Sequence, residues 1–160
     1  VERLEARIER PTPRLDGVTL REYAIQQYDF ENGGRASNET KRLLRDRGLD
    51  ARTVRRVAVA TFELEMNIVV HSQGGRVLVR IDPERVEVLA IDRGPGIPDV
   101  ARALEPGFST ANDWIKSLGF GAGMGLSNVK RVSDEFTIES DPRGTRARAI
   151  IDLKAAGGEA

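Results

Sequence analysis

Between Asp50 and Ser72 lies the longest apolar segment of the chain, and its needs dictate the rest of the fold. Val54, Val57, Ala58, Thr61, Phe62, Leu64, Met66, Ile68 and Val69 recur at helical spacing and cover more than one stripe. A helix that is apolar over so much of its circumference has to be buried, here against a sheet. The spacing predicts a helix over about residues 51–72, with Asp50 as N-cap and Gly74-Gly75 beyond its end. One row of polar side chains interrupts it. Glu63, Asn67 and His71 stand at i, i+4 and i+8, in line along one face.

The flanking sequence supplies a sheet. Leu20–Phe30, with Tyr23, Ile25, Tyr28 and Phe30, reads as a first strand closed by Gly33-Gly34. Ala36, Thr40, Leu43 and Leu44 make residues 35–47 an amphipathic helix with Gly48 as its C-cap. Arg76–Ile81 and Val86–Ile91 alternate as strands about a Pro-Glu-Arg turn, and Glu135–Ser140 and Thr145–Leu153 pair about Asp-Pro-Arg-Gly. Residues 124–134 read as a further helix. The order is strand, two helices, two strands, Gly-rich loop, helix, two strands: an α+β, two-layer α/β sandwich with the helices on one sheet face. Residues 1–20 read as an N-terminal extension, 21–154 as one domain and 155–160 as a C-terminal tail.

Composition closes off several function classes. At 160 residues with 39% apolar content, the chain suits one core. Its 25 basic and 25 acidic residues cancel, so it is not built to coat nucleic acid by bulk charge. With no cysteine there is no disulfide, thiol nucleophile or Cys-type zinc site, which suits a reducing cytoplasm. A single histidine, His71, excludes any site needing two imidazoles. No apolar run approaches the ~20 residues of a membrane span, and no signal-peptide pattern opens the sequence. The expectation is a cytoplasmic protein with neither nucleic acid nor membrane as a partner.

Three segments carry chemistry. In the first, Glu63 and Asn67 lie roughly 6 Å apart along the helix axis. An amide oxygen is a hard ligand suited to Mg2+, and a carboxylate can accept or orient a proton. The same row would also serve as a solvated stripe. The second is Asp92-Arg93-Gly94-Pro95-Gly96-Ile97, directly after a strand. An acid there can accept a hydrogen bond from an exocyclic amine while glycines let a ligand approach; an ordinary Asp-Gly turn is the alternative. The third, Gly119-Phe120-Gly121-Ala122-Gly123-Met124-Gly125-Leu126, opens into a helix and can turn its N–H groups toward phosphate. It is neither a Walker A loop nor a dinucleotide fingerprint; a flexible linker is the alternative. Seven glycines between residues 92 and 126 mark the whole stretch as a loop-rich ligand region.

In this order, over about residues 23–153, the segments resemble the boxes of the GHKL (Bergerat-fold) ATPases. The short chain resembles the branch of anti-sigma factors and serine/threonine protein kinases. The resemblance implies a mixed, mostly antiparallel sheet and ATP with Mg2+ as cofactors. It makes Glu63 the catalytic glutamate and Asn67 the Mg2+ ligand, with His71 closing that box as a helper. Asp92 would bind the adenine amino group, with Gly94, Gly96 and Ile97 in the same box and Thr145 of the Gly144-Thr145 pair joining the contact. Residues 98–120 would be the ATP lid, where Phe108-Ser109-Thr110 resembles a motif of the small kinases and Lys116 would reach a terminal phosphate. Gly119, Gly121, Ala122, Gly123, Met124, Gly125 and Leu126 would line the phosphates. The sequence departs from the family at His71-Ser72, where many relatives carry a small residue. It also shows no dimerisation helix pair with a phosphorylatable histidine, which argues against a sensor histidine kinase.

The leading expectation is an ATP-dependent serine/threonine kinase of the anti-sigma regulatory type. Its implied partner is a small anti-anti-sigma (STAS-type) protein, with a sigma factor as a second partner and a homodimer as the implied assembly. A rival expectation is an ATP-gated anti-sigma or other binding module with little or no kinase activity. Residues 35–56 carry eight basic residues (Arg35, Lys41, Arg42, Arg45, Arg47, Arg52, Arg55, Arg56) against three acidic ones, enough to dock an acidic partner or simply to keep a face solvated. A third expectation is an ATP-dependent switch outside any sigma pathway.

Overall fold

Helix by helix, local signals set the boundaries. In the computed structural model, which describes residues 17–107 and 125–153, the long helix α2 runs Ala51–His71. The Asp50 side chain accepts from Thr53 N at 3.3 Å at its start, and the Ser72 hydroxyl folds back onto the Ile68 carbonyl at 2.8 Å at its end. The preceding α1 is Arg35–Asp46. The strands are β1 (Thr19–Ile25), β2 (Gly75–Ile81), β3 (Arg85–Asp92), β4 (Glu135–Asp141) and β5 (Gly144–Asp152). A short α3 (Val100–Ala103) follows β3, and α4 (Gly125–Val132) precedes β4.

The strands form one sheet in the order β1-β2-β3-β5-β4. Every pairing among the described residues is antiparallel, so the expected mixed sheet is here antiparallel throughout. The two hairpins, β2–β3 and β4–β5, supply two of the four pairings, because tight turns return the chain beside itself. One face is apolar: Val77, Val79, Ile81, Val86, Val88, Ala90, Ala147, Ala149 and Ile151 are buried there with Val54, Val57, Leu64 and Ile68 of α2. Taking each of the larger of these side chains out of water stabilises the fold by about 1.5–3 kcal/mol. The opposite face keeps charge, including the Arg148–Glu87 pair at 2.7 Å between β5 and β3. The helices therefore lie on one side only, and α2 packs against both α1 and α4.

The first strand is shorter than its sequence suggests. It stops at Ile25, and Tyr28 and Phe30 lie in a loop with stacked rings 6.4 Å apart. Tyr28 takes a φ of 60°, which no strand allows, and its N–H donates to the Val69 carbonyl at 2.9 Å. Asp29 and Asn32 bind one another side chain to side chain and turn the chain into α1. Gly34, with φ 98°, is the N-cap of that helix. The extension before Gly17, the tail after Leu153 and most of the expected lid lie outside the described residues, as do Ser109, Thr110, Lys116, Gly119, Gly121, Ala122, Gly123 and Met124. Among the described helices, none is long and apolar enough to cross a membrane.

Candidate functional site

Asp92 is the last residue of β3, and the backbone around it is drawn in close. A side chain at Gly75, its register partner on β2, would overlap the Ile91 carbonyl and crowd the Asp92 backbone. One at Gly144 would overlap the Asp92 carbonyl oxygen. The half-buried Asp92 carboxylate accepts the Thr145 N–H at 2.9 Å. Burial pushes its pKa up, and the Thr145 hydrogen bond partly offsets that. Thr145 Oγ1 lies 2.8 Å from Ser140 Oγ, which in turn accepts the Ile97 N–H at 2.7 Å.

The loop after Asp92 is pinned on two sides. Gly94 N–H donates to the Arg143 carbonyl of the β4–β5 hairpin, and Gln73 N–H donates to the carbonyls of Arg93 and Gly94. Gly96, with φ 86°, passes so near the Asp141 carbonyl that a Cβ there would overlap it. The end of α2, the loop after Asp92 and the last hairpin are thus tied at one end of the sheet. Gly144→Ala tests this: the methyl has to displace the Asp92 backbone, and the variant is expected to lose about 1–3 kcal/mol in urea unfolding, with a proportionate loss of any ligand that Asp92 holds.

The second half of the site lies on α2. Glu63 is half-buried and faces the start of α4. A Cβ on Gly125 would stand 2.9 Å from its Oε2. Burial pushes the Glu63 pKa up, and Asn128 moderates the rise. Asn67 is half-buried one turn further on. Burial lowers the pKa of His71, which favours a neutral imidazole. Leu126 is expected at the phosphates, but it is buried in the core with Val129; only its backbone is left for a ligand.

Four residues of this region carry no motif. Ser140 joins Thr145 to Ile97, Asn128 moderates the upward shift at Glu63, Gly75 makes room for Asp92, and Glu65 is buried behind α1. No group of three or more His, Cys, Asp or Glu side chains among the described residues could hold a metal ion. A cation beside Asn67 would therefore need oxygen ligands from a phosphate and water, which is how Mg2+ is usually held. The donor chemistry fits that ion. In the basic segment, Arg47 is engaged by Thr19, and Arg56 by the Val132 carbonyl and Asp134, whereas Arg35, Arg42, Arg45, Arg52 and Arg55 are exposed.

Comparison with known proteins agrees with this geometry. Residues 29–151 match the family described as the histidine kinase-like ATPase domain. The serine/threonine-protein kinase RsbT of Bacillus subtilis is 36% identical over 62% of this chain and 72% of its own length. An anti-sigma F factor of Pasteuria penetrans is 33% identical over 58% of this chain, which spans only 64% of that relative. Two solved structures share the fold at a TM-score of 0.54. The RsbU and RsbW domains of Rv1364c from Mycobacterium tuberculosis (20% identical) align over 89% of this chain and 33% of theirs. The SiaB–SiaC complex of Pseudomonas aeruginosa (13% identical) aligns over 81% and 89%. The sequence boxes, the antiparallel sheet with helices on one face and the matched family agree: the chain belongs to the histidine kinase-like ATPase family, in the branch that includes RsbT and the anti-sigma F factors.

Proposed function

We propose that this chain is an ATP-dependent serine/threonine protein kinase of the anti-sigma regulatory type, acting on a small STAS-type partner in the cytoplasm. The observation that carries the reading is the half-buried Glu63 carboxylate, one helical turn before Asn67 and set against the first turn of α4. Asp92, held by Thr145 N–H, would accept the adenine amino group, and the bare backbone at Gly94 and Gly96 would admit the ring. Asn67 would contribute its amide oxygen to a Mg2+ ion, which when bound neutralises phosphate charge. Glu63 takes or orients the proton of the partner's hydroxyl. Phosphoryl transfer asks little else of a protein beyond positioning and electrostatics. The Gly-rich segment before Gly125 and Lys116 complete the proposal as phosphate contacts. The names of the relatives support a sigma-pathway partner, and a homodimer is the assembly proposed for the branch.

The adenine contact has its own test. Asp92→Asn keeps the shape and an acceptor oxygen but removes the charge. Adenine-nucleotide affinity is expected to fall about 10- to 100-fold by calorimetry, the range for hydrogen bonds to a charged group. Unchanged affinity removes Asp92 from the site.

A second reading, an ATP-gated binding module, draws on the exposed arginines of α1 and of the start of α2. Incubation with labelled ATP and candidate acidic partners separates the two. Label on a partner serine or threonine supports the kinase; ATP-dependent capture without label supports the module.

A further inference from the structure

We infer that Ser140 is a positioning residue for base specificity: held by the Ile97 N–H, its hydroxyl sets Thr145 as a hydrogen-bond donor beside the Asp92 acceptor, a pairing that fits adenine. This rests on Asp92 being the adenine contact proposed above. Ser140 and Thr145 are register partners across the β4–β5 hairpin. Both stand on the sheet face that packs against the helices. Ser140 continues the row of Phe136 and Ile138, and Thr145 the row of Ala147 and Ala149. Ser140 Oγ accepts the Ile97 N–H at 2.7 Å and lies 2.8 Å from Thr145 Oγ1. The Thr145 N–H meanwhile donates to Asp92 Oδ1 at 2.9 Å. One run of hydrogen bonds thus links the loop after β3, the end of β4, the start of β5 and the end of β3.

The direction of the hydroxyl–hydroxyl bond follows from its neighbours. Each hydroxyl has one hydrogen to give and two lone pairs. Were Thr145 to donate, Ser140 would accept twice, from Ile97 and from Thr145, and the two bonds would compete. With Ser140 donating, the bonds reinforce one another, because a hydroxyl that accepts a hydrogen bond is polarised into a better donor. The run then passes from Ile97 N–H through Ser140 O–H to Thr145 Oγ1, and the Thr145 hydrogen is left for a ligand. A lone carboxylate holds any amino group. A fixed donor beside it asks for more: a ring nitrogen with a free lone pair next to that amino group. Adenine has such a nitrogen on each side of its amino group, N1 and N7. A site that commits a polar group in this way penalises a ligand lacking the matching atom. Ser140 supplies the commitment, since a Thr145 hydroxyl without it would be free to turn and to accept instead.

The test is calorimetric binding of ADP, 1-deaza-ADP and 7-deaza-ADP to the full chain, since each analogue replaces one of the two ring nitrogens by C–H. In the wild type, the analogue lacking the nitrogen that Thr145 meets is expected to bind about 5- to 10-fold more weakly than ADP, the worth of one neutral hydrogen bond. Thr145→Val keeps the N–H to Asp92 and the shape, and should abolish that gap. Ser140→Ala should narrow it to about twofold by weakening ADP alone. Ser140→Thr returns a hydroxyl on a side chain suited to a strand and should restore the gap. If urea unfolding shows that Ser140→Ala does not fold, Ser140→Cys, with a thiol that donates weakly, carries the same expectation. Equal weakening of ADP and both analogues in the Ser140 variant reduces Ser140 to structural support and overturns the inference, as does an unchanged gap. A wild type that binds all three alike overturns Thr145 as the donor. Full ADP affinity in Asp92→Asn overturns the adenine site itself.

Discussion

In Glu63→Gln, phosphoryl transfer is expected to fall by about 10²- to 10⁴-fold, the contribution typical of a positioned general base, while adenine-nucleotide affinity stays near wild type. Glutamine keeps the length of the side chain, an acceptor oxygen and room beside Gly125, so the fold has little reason to change. It cannot take a proton. The wild-type rate should also carry a signature in pH. Burial raises the Glu63 pKa and Asn128 moderates the rise, so the net shift is upward. Activity should therefore climb with pH through a midpoint above the ordinary glutamate range, as the carboxyl loses its proton and becomes a base. That acid limb should vanish in Glu63→Gln. Single-turnover transfer from labelled ATP to an identified acceptor, measured across pH, gives both results. Wild-type turnover in the variant would leave Glu63 without a role in proton transfer.

What the sequence made visible, and what it hid, divides along physical lines. The helix over residues 51–72 was readable because its apolar positions follow a short-range period. Glu63, Asn67 and His71 were readable on it for the same reason, as the polar exceptions in an apolar pattern. Asp92 was readable because a strand ends there and glycines follow. Strand β1 ends before its strand-forming side chains do: Tyr28 takes a positive φ, and the Asp29–Asn32 hydrogen bonds carry the turn on into α1. Asn128 and Ser140 were hidden for another reason. Each is an unremarkable polar residue locally, and what it acts on is remote in sequence: Glu63, whose upward pKa shift Asn128 moderates, and Ile97, whose N–H Ser140 accepts. No periodicity encodes such a link. Leu126 was ambiguous because its backbone belongs to the glycine box while its side chain belongs to the core.

Glu65 is the sharpest case of a long-range partner, and its removal should have the largest effect on stability. It is 1% exposed, between Leu64 and Met66 on the buried side of α2. Its oxygens accept the N–H groups of Gly34 at 2.6 Å and Ala36 at 3.1 Å, thereby capping α1 from another helix where Gly34 has no side chain to do so. Even so, burial dominates and pushes its pKa up to about 7 from 4.5. The sign follows directly. Between those two values the folded protein keeps a proton that the unfolded chain has lost, so stability falls as pH rises through that window, by roughly 3 kcal/mol for this group, and levels off above it. In Glu65→Ala the N–H groups of Gly34 and Ala36 are left buried without acceptors, at a cost of about 2–5 kcal/mol near pH 5. The variant also lacks the proton linkage. Its deficit relative to wild type should therefore shrink by about 2.5 kcal/mol between pH 5 and pH 8. Burial raises the pKa of Glu63 and Asp92 as well, so both proteins share that part of the slope, and the difference between them isolates Glu65. Urea unfolding of the two proteins at both pH values provides the measurement. A deficit that stays constant across that range would mean that Glu65 holds its charge in the core and that the α1 N-terminus, not burial, sets its ionisation.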